Sequence, residues 1–207
     1  EKRSIMPNRS LQKTASVTAT AIMAALATII FMFFPEIPLV PGVEYLKVDF
    51  SDIPALLLAM VVGPLPGFLV EVIKNVIHLL RSTTVGVGEL LNIGIGAAMV
   101  FGLSGFTRLF TRLFKKTTFH PQVYLLSAAL TLVLTVAAGW LLNLVLTPLY
   151  FLLMGIPVTT ASVIAGVTGS TVLNLVKAAI NLLPFYPVMY GVDRAVGRLF
   201  HPAGERH

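Results

Sequence analysis

An all-α integral membrane fold, with six transmembrane helices and both termini cytoplasmic, is what this sequence predicts. Three observations predict it. Hydrophobic residues fill 56% of the 207 positions and charged residues only 12%. A soluble domain carries about 25% charged residues, so a water-soluble fold could not cover this much apolar surface. Apolar segments recur near 14–34, 53–63, 65–80, 88–109, 122–150 and 162–190, in a chain long enough for six spans of about 20 residues each. The cations are placed asymmetrically. Lys2, Arg3, Arg9 and Lys13 precede the first segment, Arg108, Arg112, Lys115 and Lys116 follow the fourth, and Arg194, Arg198 and Arg206 follow the sixth. With both ends inside, all of these are cytoplasmic, and the outer loops keep Lys47 and Arg81, which is the positive-inside pattern. The whole chain forms one membrane domain, 1–207.

The first apolar run continues to Phe34 without a small-residue cleavage pattern, which predicts a retained helix rather than a signal peptide. Ala15 and Ala19, and Ala21 and Ala25, are pairs of small residues four apart. Such a face lets another helix approach closely, either within the bundle or from a separate membrane subunit. The loop that follows contains EYLKVDFSDIPAL, residues 44–56, with Glu44, Lys47, Asp49 and Asp52 close together and Pro35, Pro38 and Pro41 stiffening its approach. It predicts a structured extracellular loop, a cover over a ligand pocket at the outer face.

The second and third segments are short, broken by Gly63-Pro64-Leu65-Pro66-Gly67. Ten or so residues at about 1.5 Å each cannot cross a core of about 30 Å. The second helix therefore starts before Ile53 and kinks at Pro54, or it is buried by its neighbours. On the third, Glu71, Lys74, Asn75 and His78 share one face. Glu71 and Lys74 neutralise each other or serve a site. His78 reads as an interfacial hydrogen-bonding residue, with no second histidine at metal-ligand spacing.

Glu89 and Asn92 open the fourth segment, and FTRLFTRLFKK closes it as a basic amphipathic stretch suited to the inner leaflet. The net charge of +6 thus reads as topology and anionic lipid, not nucleic acid. Asn143 lies on the fifth segment, and Thr171, Asn174, Lys177 and Asn181 line one face of the sixth. Lys177 has no acidic partner within its own turn. It pairs with Glu71 across the bundle or donates to a bound polar ligand. Pro184 and Pro187 predict a bend before the helix runs on to Phe200.

Several engines are missing. No glycine is followed by lysine, so there is no phosphate-binding P-loop, and neither HExxH nor GxSxG occurs. There is no cysteine for thiol chemistry. Binding without catalysis is the reading that remains, with an integral membrane enzyme using Glu71, Lys74 and His78 as the competing class.

YLKVDFSDIPALL, GPLPG, EVIKNVIHLL, VGELLNIGIG, LNLVLTPLY and NLVKAAI follow one another over residues 45–180. In that order the set resembles the S components, the substrate-binding membrane subunits, of energy-coupling factor (ECF) vitamin transporters, and within them the riboflavin-specific group. The resemblance implies a riboflavin-binding subunit in a prokaryotic cell membrane, with no cofactor. It implies a coupling transmembrane subunit and two cytosolic ATPases as partners. It implies flavin contacts from Asn143, Asn174 and Lys177, and closure by the first outer loop around Tyr45, Leu46, Lys47, Val48, Asp49 and Phe50. It implies docking of the coupling subunit on Ala21 and Ala25. Arg81 and the loop 151–160 match nothing specific in it, and another vitamin or a flavin analogue is the alternative ligand. The chemistry suits a flavin: an Asn amide both donates and accepts, as the flavin's imide edge does, and a Lys adds donors toward carbonyl or hydroxyl oxygens.

Overall fold

The computed structural model describes residues 9–33, 37–38, 47–118 and 120–191. It is helical apart from one two-residue antiparallel ladder. The helices are α1 (Arg9–Phe33), α2 (Ile53–Val61), α3 (Pro64–His78), α4 (Val87–Phe114), α5 (Pro121–Leu153) and α6 (Thr160–Leu182). The ladder joins β1 (Ile37–Pro38) to β2 (Lys47–Val48) in the first loop, with Ile37 opposite Val48. Among the described residues, four helical stretches, in α1, α4, α5 and α6 with its continuation to Gly191, are long and apolar enough to cross a membrane.

The apolar side chains explain which surfaces face out. On α1, Ala24 and Ala27 are buried while Val17, Ile22, Leu26 and Ile29 are exposed. Ala21 and Ala25 lie on that exposed side too. On α5, Leu125, Val133, Leu141 and Val145 point outward, whereas Ser127, Thr131 and Thr135 are buried. Apolar outside and small or hydroxylated inside is the pattern expected when lipid is the solvent and hydroxyls bond back to the helix. Ser127 and Thr131 do so, to the carbonyls of Val123 and Ser127 at 2.7 Å each.

The α2 segment is the buried centre. Ala55, Leu56, Leu57, Leu58 and Ala59 are all inside, packed among α1, α3 and α4. Its nine residues span only about 14 Å. It begins at Ile53 with Pro54 in its first turn, where a proline costs no hydrogen bond. An earlier start with a kink at Pro54 is therefore not what forms, and burial by neighbours is. Gly67 on α3 lets α2 approach closely: a Cβ there would lie 2.6 Å from both the Ala55 carbonyl oxygen and the Ala59 Cβ.

The α6 helix opens with a capping box between Thr159 and Ser162. It stops at Leu182, turns through 183–184, and helix resumes over 185–191. The bend expected from Pro184 is present, and the run on to Phe200 lies outside the described residues.

Candidate functional site

The elements bring two polar systems to the end of the bundle where α1 stops and α4 starts. One is a knot of buried charge. Lys74, fully buried on α3, pairs with Asp52, with Glu71 at 2.8 Å and with the Ser51 hydroxyl at 3.1 Å. Lys177 on α6 lies 3.3 Å from Asp49 and 3.3 Å from Asp52, and donates to Asn92 Oδ1 at 2.6 Å. Three carboxylates and two ammonium groups thus occupy one interior, where an unpaired charge would be costly.

Amides complete the knot. Asn92 donates to Asn75 at 2.9 Å, and Asn75 donates to the Glu71 carbonyl at 2.8 Å. Asn181 donates to the backbone carbonyls of Asp49 and Lys177, each at 3.0 Å. The segment 49–52 is therefore clipped to α6 by Lys177 and Asn181 and to α3 by Lys74. Asp52 occupies the position that caps α2, yet its side chain makes no cap bond because it is turned inward to the lysines. Burial pushes the Asp49 carboxyl up, but Lys177, Lys74 and the Ser51 N–H at 2.7 Å outweigh it and hold the group well below the usual carboxylate range.

The second system is a cavity of about 650 Å³ beside the knot, within the 300–1,000 Å³ usual for small-molecule sites. Phe31, Met32, Leu91, Ile95, Tyr150 and Leu173 supply apolar walls. Asp49, Asn92, Asn174 and Lys177 supply a polar wall. His78, Arg81, Thr83, Thr84 and Glu89 form a third side. There His78 stacks on Phe31 at 4.0 Å and bonds Glu89 at 2.8 Å. Glu89 accepts also from Ser82 and Thr84, at 2.9 and 3.1 Å. Arg81 donates to the Met32 carbonyl at 3.1 Å and so fastens the α3–α4 connection to the end of α1.

The structure brings Asn174, Lys177 and Asp49 together on the cavity wall. Asn174 is 1% exposed, and its Nδ2 has no hydrogen-bond partner among the described residues. It fits because α5 has Gly139 opposite, where a Cβ would fall 2.1 Å from that nitrogen. Asn143 sits elsewhere. It donates to the Gly139 carbonyl at 2.7 Å and accepts from Thr147 at 3.0 Å, behind the cavity rather than among its lining residues. Phe50 is 39% exposed and is not a lining residue either. Lys47 and Val48 contribute backbone to the ladder, and Tyr45 and Leu46 lie outside the described residues.

Several expectations are corrected. Lys177 does not pair with Glu71 across the bundle; Asp49 and Asp52 take it. These two acids, placed by sequence in the structured outer loop, are both buried. Arg81 and Tyr150 join the cavity without a sequence signal that singles them out, since what places them is the packing of helix ends. Glu71 and Lys74 do neutralise each other, with Asp52 as a third member.

A membrane-embedded helical bundle with a mixed polar and apolar cavity at one end is a binding protein by geometry. The family described as the ECF transporter substrate-specific component matches residues 15–189, so the chain belongs to that family and is a transporter component rather than an enzyme. It is 28% identical over 182 residues to the riboflavin transporter FmnP of Bacillus subtilis, covering 84% of this chain and 89% of that protein. It is 29% identical over 181 residues to the riboflavin transporter RibU of Lactococcus lactis, covering 85% and 82% respectively. A solved S component of a bacterial ECF transporter superposes with a TM-score of 0.65 at 21% identity, covering 89% of this chain and 98% of the other. ThiT from Listeria monocytogenes superposes at 0.56 with 16% identity, covering 92% and 99%. The two superpositions speak to the fold.

Proposed function

We propose that this chain is the riboflavin-binding subunit of an ECF-type vitamin importer, with six spans, both termini cytoplasmic, and the cavity opening outward. One observation carries the reading: a cavity of about 650 Å³ sets aromatic and aliphatic walls against Asn174, Asn92 and Lys177, the lining that a flat, uncharged, hydrogen-bonding ring requires. The names of the two relatives matched over 84% and 85% of this chain point to the same ligand. Asn174 offers its unpartnered amide to the imide edge. Lys177 turns from Asp49 or Asn92 toward a ligand oxygen, and segment 45–50 closes over the ring. Asn143 acts from behind, holding the α5 backbone at Gly139 against which Asn174 rests.

The chain carries no nucleotide-hydrolysing motif, so energy comes from partners: a coupling transmembrane subunit, docked on the exposed Ala21–Ala25 face of α1, and two cytosolic ATPases. The test is spectroscopic. Protein purified from flavin-replete cells carries the flavin absorption bands, and Asn174→Ala weakens riboflavin binding by at least tenfold, or ~1.4 kcal/mol. A colourless protein that also fails to bind added riboflavin defeats the reading. Tighter binding of another vitamin in competition would move the chain to a different ligand within the same family.

A further inference from the structure

At the opposite end of the bundle, α5 and α6 enclose a second hollow of about 470 Å³. It is lined by the small residues Ala128, Ala129 and Ala179 and by Leu125, Leu132 and Leu183. Two phenols line it: Tyr124, which is buried and donates its hydroxyl to the Leu182 carbonyl, and the half-buried Tyr186; the rest of the lining is apolar. Along α5 the hollow runs from Pro121 to Leu132, about 16 Å at 1.5 Å per residue. That is about half of a 30 Å hydrocarbon core, the depth of one leaflet.

The mouth of the hollow is cationic. Pro121 begins α5, and Lys116 reaches over that first turn to the side chain of Gln122. Lys115 and Arg112 are exposed on the end of α4. Between Glu89 and Asp193 the sequence contains no carboxylate to balance them. The N-terminus of α5 adds partial positive charge at the same level.

We infer that this hollow is a binding site for one anionic phospholipid, with an acyl chain lying between α5 and α6 and the headgroup held by Lys115 and Lys116. The groove depth selects a chain rooted at the adjacent leaflet surface, and the Lys115 and Lys116 ammonium groups select a negative headgroup over a zwitterionic one. The site is separate from the ligand cavity and does not depend on which vitamin fills it.

Native mass spectrometry of the full chain, offered equal phosphatidylglycerol and phosphatidylcholine in mild detergent, tests the assignment. One phosphatidylglycerol adduct is expected, favoured at least tenfold over phosphatidylcholine. Ala128→Leu with Ala179→Leu fills the groove and should cut that adduct at least tenfold, with helix content by circular dichroism as the folding check. Lys115→Gln with Lys116→Gln alters only the mouth, so it tests the site even if the leucine pair fails to fold. It should keep a bound lipid while levelling the two headgroups. Equal binding of both lipids by the unmodified chain would overturn the inference. So would full phosphatidylglycerol binding with the groove filled. Absence of any adduct would assign the groove to a protein segment instead and overturn it as well.

Discussion

Lys74 and Lys177 make the informative comparison. Both are lysines in the middle of a helix, both are at least nine-tenths buried, and both pair with Asp52. Lys74 is enclosed: two carboxylates and a hydroxyl surround it, and it does not line the cavity. Lys177 has its carboxylates at 3.3 Å and forms part of the cavity wall. A buried charge is therefore no functional signal by itself. Tight satisfaction marks a structural lysine, and looser pairing next to open volume marks one free to exchange partners.

Substitution at each separates the two roles. Lys74→Met should give the largest effect, because it strands Asp52 and Glu71 in the interior. About 3–5 kcal/mol of stability is expected to go, read as a steep fall in thermal midpoint and in yield of folded protein. Lys177→Met should cost less stability, since Asp49 keeps the Ser51 N–H and Asp52 keeps Lys74. Its signature is the proposed flavin affinity of the protein that does fold, expected to drop at least tenfold by fluorescence quenching. If both variants lose stability equally and bind flavin alike, the distinction between them fails.

Gly139→Ala sharpens the comparison from the α5 side. The new methyl occupies the place of the Asn174 amide, so overpacking of about 1–3 kcal/mol is expected, together with weaker flavin binding. The smallest effect is on pH dependence. Asp49 is depressed in the folded state, so its stabilisation is complete above an unfolded value of ~4. It declines as pH falls below that toward the folded value. The fall in thermal midpoint below about pH 4 should be shallower in Asp49→Asn than in the unmodified chain.

Much of the bundle is legible in the sequence because its rules are local. The long apolar runs give α1, α4, α5 and α6, and spacings of three and four put Asn174, Lys177 and Asn181 on one face of α6 and Glu71 beside Lys74. The partners of Lys177 are not legible for the opposite reason. Asp49 lies 128 positions away, and only tertiary packing brings it there. The same limit hides Arg81, whose acceptor is a main-chain carbonyl at position 32, invisible to any residue pattern. Asp52 misleads in a specific way: it has the type and position of a helix cap, while the geometry spends its carboxylate on lysines. Asn143 shows that an amide on the right helix can stand one layer behind the cavity.

The clip between segment 49–52 and α6 has a consequence for biogenesis. Asp49 and Asp52 leave the ribosome well over a hundred residues before Lys177 does. Until α6 arrives, Asp49 has Lys74 nearby and the Ser51 N–H but lacks its ion pair with Lys177. Lys74, made soon after and carrying Glu71 one turn away, can insert with its countercharge already aboard. A helix made late thus completes the ion pairs of a loop made early, and the cavity wall that Asp49 and Lys177 share forms only once α6 is in place.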